Sequence, residues 1–144
     1  FVANYENDTV TVYARGKTNL LRTISQGILD PSVTVYAPGS TNVLRTISQG
    51  LVHPFALAFD PTGNLYVANA SDAITIYPPN GTTLLRSITQ GVNLPIALGF
   101  DSTGNLFVAN ERSRTVTVYA PGSSSIRRTI SDGINYPTAL AFQP

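Results

Sequence analysis

Short segments in which apolar side chains alternate with polar or small ones recur along the whole chain. In "TVTVY" (9–13) Val10 and Val12 fall on one side while Thr9, Thr11 and Tyr13 fall on the other. That two-residue period predicts β-strands, and no window carries the apolar 3.6-residue period of a helix. Near-copies of the phrase end at Tyr13, Tyr36, Tyr77 and Tyr119, and Arg22, Arg45, Arg86 and Arg128 each follow nine residues later. Along both series the spacings are 23, 41 and 42. A period near 42 residues, divided into short alternating segments, predicts four-stranded antiparallel blades, as in a β-propeller.

One unit divides into "FALAF" (55–59), "LYVAN" (65–69), "AITIY" (73–77) and a fourth strand around "LLRSIT" (84–89). The first connection, Asp60-Pro61-Thr62-Gly63-Asn64, reads as a tight turn and returns as Asp101-Ser102-Thr103-Gly104-Asn105. Asp accepts turn hydrogen bonds, and Gly takes the left-handed conformation that such a turn needs. Gly122 and Asn80 stand at matching positions of the third connection, so positive φ is expected at both.

The first strands alternate large with small: Leu57 and Phe59 oppose Ala56 and Ala58, and Leu98 and Phe100 oppose Ala97 and Gly99. Such strands are expected to be buried on both faces. Only 5 residues separate Pro31 from Tyr36, against 23 from Pro54 to Tyr77, so one unit lacks its first two strands. "FVAN" reads as a second strand without a first, and "PTALAF" (137–142) as a first strand without a second. The expected total is about three and a half blades in a single, partial propeller domain spanning 1–144. A homo-oligomer or a partner chain would complete the ring, with "PTALAF" pairing against "FVAN".

Composition narrows the functional classes. Charged residues make up 12% and the formal net charge is +1, which argues against nucleic acid or an anionic membrane as partner. No apolar run approaches the roughly 20 residues of a membrane-spanning helix. With no Cys, thiolate metal sites, disulfides and cysteine nucleophiles are excluded. With no Met, Phe1 is expected to follow processing, excision or incomplete reading. Low charge with abundant Ser, Thr and Asn suggests an exported protein, extracellular or periplasmic.

"PFALAFDPTGNLYVANASDAITIY" and "PIALGFDSTGNLFVANERSRTVTVY" resemble NHL-type propeller repeats: Pro, an apolar strand, Asp-x-x-Gly-Asn, then a Tyr-Val-Ala phrase. The resemblance implies a propeller, in a family that includes RNA-binding, lyase and sensor members; related six-bladed folds include metal-dependent lactonases. Asn69 and Asn110 stand where that family usually has Asp, and its Asn-x-Arg before the third strand is missing.

Asn4, Asn69 and Asn110 end equivalent second strands, so ring geometry is expected to bring them together at a channel mouth. Converging amides suit a small polar ligand, and Glu6 and Glu111 would favour a hard cation such as calcium. The other reading is that these Asn side chains cap strand ends and satisfy loop amides. His53 is the only His, so a paired-His site needs a second chain. No nucleophile elbow or phosphate loop is present. The four repeat Arg residues are expected on outermost strands, where charge discourages edge-to-edge pairing. The reading is a non-enzymatic binding or scaffold propeller; the alternative is a metal-dependent lactonase-like or lyase-like enzyme.

Overall fold

The computed structural model describes residues 2–4, 9–13, 20–24, 32–36 and 43–142, all-β and without helix among them. The chain forms two compact units, Phe1–Ser48 and Gln49–Pro144. In the first, β1 (Val2–Asn4), β2 (Thr9–Tyr13) and β3 (Leu20–Ile24) make a three-stranded antiparallel sheet. Strands β4 (Val33–Tyr36) and β5 (Val43–Ile47) make a two-stranded one. The repeated phrase sets the pairing: Val10 opposes Ile24 as Val33 opposes Ile47.

The second unit holds two four-stranded antiparallel sheets of the kind propeller blades have, each in simple chain order. One comprises β6 (Pro54–Phe59), β7 (Leu65–Asn69), β8 (Ala73–Tyr77) and β9 (Arg86–Ile88). The other comprises β10 (Pro95–Phe100), β11 (Leu106–Asn110), β12 (Thr115–Tyr119) and β13 (Ile126–Ile130). Pro54 and Pro95 open their strands beside a bulge, where the missing N–H breaks no regular ladder. Gly63 and Gly104 take φ of 88° and 81°, and Asn80 and Gly122 take 59° and 68°, as the turn chemistry required.

The core lies where the two sheets of this unit meet. Tyr66, Ala68, Ile74, Ile76 and Ile88 line one side, and Val92, Leu106, Val108 and Tyr119 close it from the other. Leu98 and Phe100 reach into this layer from β10, with the Phe100 ring edge-on to Tyr66 at 5.0 Å and 79°. The large side of β10 is therefore covered, as expected.

The large side of β6 is not. Leu57 and Phe59 are 52% and 61% exposed, which corrects the expectation that both faces of every first strand are buried. The reason is local: Tyr66 of the preceding sheet covers Phe100, and no sheet of this unit precedes β6. Residues 137–142 join no ladder within this chain. Phe142 nevertheless packs edge-on to Phe107 at 5.3 Å and 67°, repeating the Phe100–Tyr66 contact. Side-chain packing places this segment without a paired backbone.

Candidate functional site

Asn69 and Asn110 end β7 and β11, and both are fully buried. Asn69 Oδ1 accepts from the Val52 N–H at 3.0 Å, while Nδ2 donates to the Val67 carbonyl and Thr75 Oγ1, each at 3.0 Å. Asn110 repeats the pattern: Oδ1 accepts from Asn93 N–H at 2.9 Å, and Nδ2 donates to Val108 O at 3.2 Å and Thr117 Oγ1 at 3.0 Å. These amides answer buried polar groups of their own sheets, whose desolvation would otherwise be unfavourable. Asn bridges both kinds of partner because it donates and accepts at once, which a carboxylate does not.

The segment held by each Asn leads into a first strand and is gripped a second time. Tyr77 Oη donates to Gln49 O, and Tyr119 Oη to Gln90 O, both at 2.6 Å. Burial pushes both phenols above their ordinary pKa. The signal for this clamp in the sequence is the Tyr that closes every third-strand phrase, together with the Gln-Gly ahead of each full unit (Gln49-Gly50 and Gln90-Gly91); the Tyr marks the period and also makes the bond.

Around these buried locks the loop surface is charged and aromatic. Asp72, at φ 57°, accepts from the Leu94 N–H at 2.7 Å and pairs with Arg112 Nη1 at 3.2 Å. Arg114, at φ 55°, stacks 4.4 Å from the Tyr136 ring centroid and donates to its hydroxyl at 2.6 Å. Glu111 is half-buried, and its main-chain N–H donates to Leu94 O at 3.0 Å. His53 sits just before Pro54 at φ 44°, as Leu94 and Tyr136 sit before their own prolines. Asn4 pairs with Thr9 through the β1–β2 ladder, and Glu6 lies outside the described residues. No hydrogen bond joins Asn69, Asn110 and Glu111 to one another among the described residues, and no three His, Asp or Glu gather there as metal ligands do.

At the opposite, turn-bearing end lie two related cavities. One of about 340 Å³ is lined by Tyr66, Leu85 and Arg86 of the first sheet and closed by Phe100, Thr103 and Pro121 of the second. The other, of about 370 Å³, is lined by Asp101, Asn105, Phe107, Val118, Arg127 and Arg128. Arg86 and Arg128 stand on fourth strands, as expected, each beside an aromatic side chain. Arg86 Nη2 lies 3.5 Å from Tyr66 Oη, and the Arg128 guanidinium lies 5.9 Å from the Phe107 centroid. Burial raises the Tyr66 pKa against the opposing pull of Arg86. Arg127, where the first sheet has Leu85, donates to Asn105 Oδ1 at 2.9 Å.

The Asp turns beside these cavities are internally saturated. Asp101 Oδ1 accepts from Thr103 N–H and Asn105 N–H, each at 2.9 Å, and Oδ2 accepts from Asn105 Nδ2 at 2.8 Å. The Asn105 side chain and its companions hold Asp101 down to about 2, against a smaller effect of desolvation. In Asp60, burial works upward but is outweighed by the bonds from Asn64 and Thr62, so its pKa also falls.

No family model matches the chain, and no curated protein matches it. Solved structures do. A protein of unknown function from Bacteroides caccae superposes with a TM-score of 0.53 at 23% identity, over 62% of this chain and 35% of that one. Kuenenia stuttgartiensis hydrazine synthase gives 0.54 at 22% identity, over 73% and 29%. A mitotic checkpoint complex gives 0.66 at 11% identity, over 88% and 46%. At these identities the likeness concerns fold alone, and it supports a β-propeller-like, all-β architecture. The chain spans less than half the length of each of these solved chains.

Proposed function

We propose that the chain is a non-enzymatic binding or scaffold β-propeller, built from NHL-like blades with the 41–42 residue spacing of its repeat. The observation that carries this reading is the commitment of Asn69 and Asn110, fully buried, to their own loops. Polar groups placed where a site would form hold the scaffold instead. In this reading Asn69 and Asn110 set loop height. Glu111, Arg112 and Tyr136 meet a small polar ligand or a partner, and further blades from another copy or chain complete the ring. The low charge fits an exported setting.

The test is a hydrolysis assay of the purified protein against simple lactones, with and without calcium, alongside metal analysis and melting curves. The expected result is no turnover above buffer and no shift in melting temperature with calcium. Calcium-dependent hydrolysis that Glu111→Gln abolishes would overturn the reading in favour of an enzyme.

A further inference from the structure

The unit Gln49–Pro144 carries, on its two outer sides, both halves of the interface that joins its own sheets. In the inner interface Phe100 of β10 sits on Tyr66 of β7. Beside that contact the second sheet's turns, at Thr103 and Pro121, close the cavity of about 340 Å³ over Leu85 and Arg86. On one outer side, β6 presents Leu57 and Phe59 at the positions of Leu98 and Phe100, and both are more than half exposed. On the other, Phe107 and the two Arg residues line the cavity of about 370 Å³, whose described lining comes from the β10–β13 sheet and its turns alone.

We propose that a second copy of this chain docks there head to tail: its Phe59 takes the place over Phe107, and its Asp60–Asn64 turn closes the Arg127–Arg128 cavity. The assignment deepens the scaffold reading above and rests on its expectation of a second copy, with β6 of that copy in place of the PTALAF–FVAN pairing as the contact between copies. A second copy fits because the two surfaces differ from the inner interface by one repeat and by few substitutions. Phe107 replaces Tyr66, Val118 replaces Ile76, and Arg127 replaces Leu85. Phe142 now occupies the place over Phe107, but its segment joins no ladder, so displacing it breaks no sheet hydrogen bonds. Repeating one rotation between unlike faces gives a heterologous assembly, which closes into a ring where the rotation permits.

The chain has no Cys, which makes a cross-linking test clean. Thr62 and Arg127 are both exposed, and their inner-interface counterparts, Thr103 and Leu85, line one cavity. A mixture of full-length Thr62→Cys and Arg127→Cys chains, oxidised under mild conditions, is expected to give a disulfide-linked dimer of one of each. Either variant alone is expected to give at least tenfold less. Sedimentation of the unmodified protein is expected to show oligomers that Leu57→Asp/Phe59→Asp weakens at least tenfold without changing its circular dichroism. A monomer at every concentration, or cross-linking as efficient for one variant alone, overturns the proposal and leaves the non-enzymatic reading untouched. Calcium-dependent hydrolysis by head-to-tail oligomers does the reverse.

Discussion

The Tyr77 hydroxyl donates to the carbonyl of Gln49 at 2.6 Å across 28 residues of sequence. It ties the third strand of a sheet to the segment that enters the first strand of the same sheet. Tyr119 and Gln90 repeat the bond at 2.6 Å. A residue that marks the repeat in the sequence is thus also the clamp that fixes each sheet's entry.

Tyr77→Phe removes that donor while keeping the buried ring. The carbonyl it leaves behind loses its partner, which costs about 1–3 kcal/mol where water cannot enter. Urea unfolding of Tyr77→Phe and Tyr119→Phe is expected to show losses in that range, with unchanged denaturant slopes. An alkaline limb should accompany them. The raised phenol pKa values mean stability is complete below pH 10 and falls as pH rises through the folded values. The double Phe variant should flatten that limb.

Asn69→Ala leaves the Val52 N–H, the Val67 carbonyl and Thr75 Oγ1 without this amide, so a loss of about 2–3 kcal/mol is expected in urea unfolding. Asn69→Asp keeps the acceptor for Val52 but faces the Val67 carbonyl with a buried carboxylate, and should be no milder. Variants that melt like the parent protein would show these residues to be free for a ligand.

The repeat, the strand type and the turns were legible because each depends on local chemistry. Val and Thr alternation, the Asp-x-Thr-Gly-Asn turns and Asn80 at positive φ need only near neighbours. What was not legible depends on what lies across a face. Leu57 and Leu98 have near-identical local sequences, yet within Gln49–Pro144 only Leu98 has a β7-type strand opposite it. Likewise the sequence leaves Asn69 readable as a ligand amide or as a strand-end cap, and only its bond from Val52 N–H, 17 residues earlier, separates the two. Arg127 stands where the other full repeat has Leu85, a difference that is legible in the sequence itself.

Acid sensitivity should trace to the two Asp turns. Both carboxyls titrate below their ordinary value in the folded chain, Asp101 at about 2. Their contribution is therefore present above the unfolded pKa, near 4, and is lost as pH falls toward the folded values. Asp60→Asn and Asp101→Asn should each lower stability at neutral pH and lose less of it between pH 5 and about 2, as read by urea midpoints across that window. An unchanged acid limb in the double variant would assign it to other carboxyls.

Asp72 makes two bonds of different worth, and substitution can separate them. Its pair with Arg112 is exposed on both sides, 59% and 42%, so Arg112→Ala should cost under about 1 kcal/mol and nothing measurable in high salt. Its bond to the Leu94 N–H, at 2.7 Å, holds the segment entering β10, and losing it should cost about 1–3 kcal/mol at any salt concentration. Asp72→Ala removes both and places a Cβ residue with no local hydrogen bond at φ 57°, so it should be the more damaging change. Asp72→Asn keeps an acceptor oxygen, tolerates the left-handed backbone and discards the charge. It should therefore behave like Arg112→Ala, and not like Asp72→Ala. Urea midpoints at low and high salt decide the matter: if Asp72→Asn falls as far as Asp72→Ala, the charge holds the loop and the hydrogen bond to Leu94 is secondary.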